Sequence, residues 1–462
     1  MQRLPAIIAI LSIALSASHA ERAAAVSVEE NQSGPTSLDL MPGGVGISFG
    51  NSKRVKGLRF NVRDEGVEEV IGLNLTFWKP GENPDAVMKG LLLGIYGPAA
   101  SELHFVSIGL VSVEAASRIS GVAIGGGAVV CSGAFNGISI GGLASVSAGS
   151  MNGIAIGGLA TVSEGFVSGI ALGGLATVAT GDVTGATIGG LANVSEGDMS
   201  GISIGGLANV AEGDMSGISI GGLANVTEGA MRGISLGGLA NVAEKGLIGI
   251  SAGGLANVAE GRMAGVSVGG LAVVSEEGMS GISIGGLAVV VGDGPISGLT
   301  IGGLAVAALD APISGITMSA GSISAADLSG VTLGGIGTVS IEDFEERHIT
   351  YTGIRARSAK WITAHGFDMD IAGDLTGFAA SGIRIRSERI TGFASSIVVT
   401  AGEMRGLSVG GVNYASGLMV GLSIGILNFT EHLNGIQLGL VNIARNNSKP
   451  FRVLPILNAH FD

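Results

Sequence analysis

An all-β, parallel β-solenoid is the fold class this chain predicts, on three observations. Glycines recur sixteen residues apart from Gly121 through Gly281 without a slip, each opening a unit such as GISIGGLANVAEGDMS at 201–216. Ile202, Ser203 and Ile204 alternate apolar and polar, the period-two mark of a strand. Two adjacent glycines per unit and no 3.6-residue stripe argue against helix, where each interior glycine costs about 1 kcal/mol. The rival is an antiparallel outer-membrane β-barrel, since strands of about ten residues also cross a membrane. In a barrel, successive units run in opposite directions and successive turns face different compartments. Stacked coils place every unit in the same surroundings, so identical units are expected there. A barrel also predicts aromatic girdles, yet 121–330 holds only Phe135 and Phe166 as aromatics.

Each unit divides into two short strands and two bends. Ile202 and Ile204 share one face of the first strand, and Gly205-Gly206 permits a bend or a close backbone approach that a Cβ would block. Leu207 to Val210 is a second apolar segment, and Glu212-Gly213-Asp214 is a turn signal. Phe105 stands where a unit-opening glycine belongs. Beyond Gly281 the spacing loosens through Gly298, Gly315 and Gly330, with a longer gap to Gly353. It then tightens from Gly377 through Gly392, Gly406 and Gly421 to Gly435. About two dozen coils at roughly 4.8 Å each predict a rod on the order of 110 Å long.

The flanks complete the organisation. Residues 1–20, MQRLPAIIAILSIALSASHA, carry Arg3, an apolar run from Leu4 to Leu15, and Ser18-His19-Ala20. This is the plan of a secretory signal peptide cleaved after Ala20, and the run is shorter than the roughly 20 residues of a spanning helix. Residues 21–40 are polar and aperiodic, a flexible leader. Residues 41–104 hold N-terminal strands and a cap, with KGLRFNV from Lys56 and IGLNLTFW from Ile71. The regular array occupies 105–340, irregular repeats with a charged insertion 341–405, and C-terminal repeats with a cap 406–462. Capping falls to the bulky Phe60, Phe77 and Trp78 at one end. At the other it falls to PFRVLPILNAHFD, whose Pro450 and Pro455 donate no ladder hydrogen bond.

Composition narrows the partners. Of 462 residues 83 are glycine, without Gly-X-Y order, and 10 are proline, which excludes collagen and a Pro-rich linker. Hydrophobic residues make up 46% with 4% aromatic, a mix suited to thin stacked layers. Lys plus Arg number 24 against 37 Asp plus Glu, a net charge of −13, which disfavours nucleic acid and anionic lipid headgroups. Cys131 is the single cysteine, so no intrachain disulfide forms, and it takes a position otherwise held by Ser or Ala.

KGLRFNV and the tail GLSIGILNFTEHLNGIQLGLVN resemble the bacterial surface repeat-containing proteins built from G-L-x-x-G-x-x-N units. The resemblance spans Lys56 to Phe461 and is clearest from Gly406 to Asp462, where Asn413, Asn428 and Asn442 hold the recurring asparagine. The central array departs from that pattern in its shorter, fixed period and its paired glycines. The resemblance implies an exported, surface-associated bacterial protein. It carries no catalytic residue across.

Three constellations are candidates for more than packing. Asn193, Asn209, Asn225, Asn241 and Asn257 share one repeat position, and stacked coils would join their amides in a structural ladder. Glu164, Glu196, Glu212, Glu228, Glu244, Glu260 and Glu276 share another, and Asp182, Asp198 and Asp214 hold the position two places further on in some units. Like charges at coil spacing repel by about 0.9 kcal/mol per pair in water, so a solvated face is expected. A row of calcium ions is its rival, although the turn lacks a calcium-roll pattern. The irregular zone 341–389 gathers Asp343, Glu345, His348, Arg355, Arg357 and Asp368, candidates for binding a ligand where the period breaks. Carboxylates beside Arg and His suit an acidic glycan, bound or cleaved by general acid–base work.

No Ser–His–Asp set and no metal-ligand spacing emerges from the sequence: His104, His432 and His460 are scattered. GGVGIS at 43–48 lacks the helix and acidic partner of a phosphate loop. The expectation is therefore a non-enzymatic exported repeat protein without cofactor or metal, forming an elongated surface or spacer scaffold at the bacterial envelope. It would lie at the cell surface, in the outer membrane or in the periplasm, adhesive or ligand-binding toward an envelope or extracellular glycan or protein. The alternatives are the outer-membrane barrel and a glycan-binding or glycan-cleaving solenoid.

Overall fold

A computed structural model describes residues 37–42, 45–335, 338–342 and 348–461. It is an all-β, parallel solenoid. Met199–Gly205 pairs in parallel with Met215–Gly221, Met199 beside Met215, and Ala208–Ala211 pairs likewise with Ala224–Thr227. Each residue thus lies beside the residue sixteen positions on, in the same orientation. The antiparallel barrel is overturned by this register. Residues 1–36, which include the expected signal peptide 1–20, lie outside the described residues. Ser37–Leu40, assigned above to the flexible leader, is a strand antiparallel to Gly46–Gly50.

Two glycine positions make the close stacking feasible. Gly201 turns the long strand at φ +107°, a backbone conformation that side chains rarely adopt. A Cβ there would lie 2.1 Å from the Gly185 carbonyl oxygen of the preceding coil. At Gly206, in the bend between strands, it would lie 1.9 Å from Gly190 O. Phe105 occupies the first of these positions at φ 77°, in keeping with its place in the repeat. Trp361, at φ 86° and paired with Gly377, does so in the irregular zone. Gly353 does not: it lies beside the strand Ile354–Ala356, so the long gap in the glycine series is filled by a tryptophan.

The face that Ile202 and Ile204 share is the outer one. Met199, Ser203, Asn209 and Ala211 point inward and are at most 3% exposed, while Ile202 is 43% and Leu207 46% exposed. The enclosed space holds columns of small polar side chains beside columns of medium-sized apolar ones, Val183 and Leu247 among them. A column of Met199, Met215 and Met231 supplies its apolar bulk, each contributing about 1.5–3 kcal/mol on burial. Cys131 belongs to the inward column that also holds Ser147, Ser163 and Ala179, and burial raises its thiol pKa.

Antiparallel strands close both ends. Ser37–Leu40 lies on the first, and Val453–His460, which contains Pro455, pairs with Gly435–Ile443 on the last. The insertion in the irregular zone leaves the stack after Gly335, at the glycine–leucine bend. It forms an antiparallel hairpin of Thr338–Glu342 with His348–Thr352 and rejoins at Ile354–Ala356. From Arg384 to Ala444 the backbone stays extended through successive coils.

Gly201→Ala and Gly206→Ala are each expected to lower unfolding stability by about 1–3 kcal/mol. Glu212→Ala, on an exposed turn, should stay within about 0.5 kcal/mol of the parent. Urea unfolding followed by circular dichroism measures the difference, and equal effects at all three positions would contradict the close approach.

Candidate functional site

The asparagine column lies inside the solenoid, where solvent does not reach. Asn193 Nδ2 donates to Asn209 Oδ1 at 2.8 Å, Asn209 to Asn225 at 2.8 Å, Asn225 to Asn241 at 2.9 Å and Asn241 to Asn257 at 2.9 Å. The same amides reach the backbone: Asn225 Nδ2 lies 3.2 Å from Ser219 O and 2.9 Å from Leu236 O. Each amide therefore ties its own long strand to the one above. Asn193 Oδ1, at the start of the column, accepts no hydrogen bond, and Asn257 Nδ2 ends it on Ser267 Oγ at 3.0 Å. A second column joins Asn413, Asn428 and Asn442 at 2.8 and 2.7 Å.

At the opposite end of the coil, the glutamates are solvent-exposed and the aspartates serve the next coil. Asp182 Oδ1 accepts the Asp198 N–H at 2.9 Å, Asp198 the Asp214 N–H at 2.7 Å, and Asp214 the Ala230 N–H at 2.8 Å. The Ala230 N–H, and after it the Arg232 guanidinium, hold the Asp214 carboxyl below the usual carboxylate range. Among the described residues no group of three or more His, Cys, Asp or Glu is arranged to hold a metal.

The irregular zone separates the candidates the sequence grouped. Asp343 and Glu345 lie outside the described residues, and His348 begins the second strand of the hairpin, opposite Glu342. Arg355 is exposed on Ile354–Ala356, beside Asp370 in the register. Arg357 Nη2 lies 3.3 Å from Asp327 Oδ2, and Asp368 Oδ2 lies 3.3 Å from Arg384 Nη2. The strand Ser358–His365 runs between Arg357 and Asp368, placing them at its two ends. Further on, Arg389 spans Asp374 at 2.9 Å and Glu403 at 3.5 Å. These are exposed pairs between successive coils, each worth about 0–1 kcal/mol.

Two buried polar groups escaped the sequence reading. Arg59 and Asp64 form an ion pair, both side chains wholly inaccessible, inside the N-terminal coils. Arg59 also donates to Asn74 and Asn51, each at 3.0 Å, while Asp64 accepts from Asn61 at 2.9 Å, Asn74 at 3.0 Å and Thr76 at 2.6 Å. The available signal was an arginine at the place of Ser203, in the inward column of KGLRFNV. His365 is the other. Its Nδ1 accepts the Phe367 N–H at 2.9 Å, and its Nε2 lies 3.2 Å from Gly321 O, which fits a neutral ring protonated at Nε2. Burial lowers its pKa, against smaller upward pulls from Gly321 O and Asp368. In the C-terminal coils, Gln437 Oε1 is buried without a hydrogen bond beside an interior space for about one water.

No family model, curated protein or solved structure matches this chain.

Asn225→Ala removes donors and an acceptor from a buried column and should cost about 1–3 kcal/mol in urea unfolding. Combined with Asn209→Ala, the loss should be clearly less than the sum of the two single losses, because the pair shares one bond. His365 should make stability pH-dependent. Its folded pKa is below the unfolded value near 6.5, so its contribution is complete above about pH 6.5. That contribution is lost as pH falls from there through the folded pKa. The stability difference between the parent and His365→Asn should therefore shrink on acidification from pH 7.5 to 5, and a constant difference would contradict it.

Proposed function

We propose that this protein is a non-enzymatic, exported scaffold: a long rod that carries one repeated surface at the bacterial cell envelope. The observation that carries the reading is how the polar side chains of the array are used. The asparagines bond to one another and the aspartates cap the next coil's amides. Such an array multiplies one surface along an axis instead of converging on one reaction centre. The apolar leader and the resemblance of Lys56–Phe461 to surface repeat proteins favour export. The glycan-cleaving alternative draws less support, because Arg357 and Asp368 lie at opposite ends of one strand and pair with separate partners.

Solution X-ray scattering of the protein purified without residues 1–20 tests the shape. A rod on the order of 110 Å should give a radius of gyration above about 30 Å, against about 23 Å for a compact chain of this length. Fractionation of bacteria producing a tagged full-length chain tests the location. Recovery of a shortened chain in the envelope or medium is expected, and full-length protein confined to the cytoplasm would overturn the exported role.

A further inference from the structure

The glycine–leucine bend leaves one leucine per coil on the outside, in a line parallel to the axis. From Leu143 to Leu304 these leucines are each 45–57% exposed, and from Leu159 on each N–H bonds to the carbonyl of the leucine before it, as Leu223 does to Leu207 at 2.6 Å. Residues such as Ile202 and Ile204 flank the line on one side and Val210 on the other. No charged residue falls within Ile202–Val210 or its equivalents from Ile138 through Ala307. The leucine edge is roughly 48 Å long and, with its isoleucine flank, covers on the order of 700 Å². That exceeds the 300–600 Å² typical of the largest apolar patch on a soluble monomer.

The charge distribution and the shape identify what covers it. The exposed carboxylates Glu212, Glu228 and Glu244 lie on the opposite edge of the same coils, so the rod is amphipathic in cross-section. An uncharged edge on a chain of net charge −13 suits a surface without net charge. The units of the edge are interchangeable. A second copy could slide along it in steps of about 4.8 Å with nearly equal contacts, so no single dimer is specified. Hydrocarbon imposes no register. Trp78, 69% exposed, extends the same edge toward the N-terminus, and tryptophan is a residue favoured at the membrane–water boundary.

We propose that the leucine edge docks onto a zwitterionic phospholipid bilayer, the rod lying along the surface with its acidic edge in water. This rests on the array alone and holds whether or not the chain is exported. The test uses phosphatidylcholine vesicles and a Trp361→Phe variant, which leaves Trp78 as the single tryptophan. The protein should float with the vesicles, Trp78 emission should shift to the blue, and brominated phosphatidylcholine should quench it. Leu207→Ser, Leu223→Ser and Leu239→Ser together should weaken partitioning about 100-fold. Glu212→Gln, Glu228→Gln and Glu244→Gln together should change it less than about 2-fold. Should the triple-serine protein not fold, quenching by brominated lipid with the leucines intact decides alone. Failure to bind phosphatidylcholine, binding only to anionic vesicles, or loss of the edge into a stable dimer in sedimentation would each overturn the proposal. So would a folded triple-serine protein that binds undiminished.

Discussion

Everything in this molecule depends on how closely one coil's backbone can approach the next. At Gly201 and Gly206 a carbonyl oxygen of the previous coil lies within about 2 Å of where a Cβ would be. Glycine leaves that space open and readily tolerates the dihedral at Gly201, and Phe105 and Trp361 take that position in single coils at positive φ. Once the approach is set, the parallel register follows, and with it a column for every position of the unit. An asparagine then meets an asparagine, an aspartate meets the next coil's amide, and a leucine meets a leucine. Likeness between units is therefore expressed as columns, which continue in register even where a residue changes, as from Asn257 to Val273.

A coil this thin inverts the usual division of residues. Ser203 and Asn209 are inside, satisfied by hydrogen bonds, in columns beside the buried Met199, Val183 and Leu247. Ile202 and Leu207 are outside. The interior gains directional bonds and methionine packing; the exterior retains apolar area that the fold does not use. Where the repeat is imperfect the interior changes character. It accepts the Arg59–Asp64 pair near one end and His365 next to the insertion, and in both places the polar atoms are largely partnered by neighbouring coils.

The architecture was legible in the sequence because a period survives without any knowledge of contacts. Sixteen residues per unit, a glycine at each corner and Phe105 as a substitute are visible in the letters alone. The shared position of the five asparagines was visible in the same way. Polarity of the faces was not, since Ile-Ser-Ile reports that two faces differ without saying which one is enclosed. Trp361 was hidden by the inserted hairpin, which displaced it from the expected spacing and offered Gly353 in its place. Arg59 was hidden by its charge, which reads as a surface residue unless its register with Ser203 is followed. The ligand candidates of 341–389 were grouped by proximity along the chain, whereas the coil carries Arg357 and Asp368 to different ends of a strand.

The asparagine column has a direction. Every amide hands its hydrogen the same way, so one terminus has a bare oxygen at Asn193 while the other has its hydrogens committed to Ser267, Val268 and Ser251. Growth of the series by mutation is consequently lopsided. An asparagine replacing Thr177 would meet a waiting acceptor, whereas one replacing Val273 would have to draw Asn257 away from bonds already made. A lineage that lengthens this column one asparagine at a time has an easier route toward its beginning than toward its close.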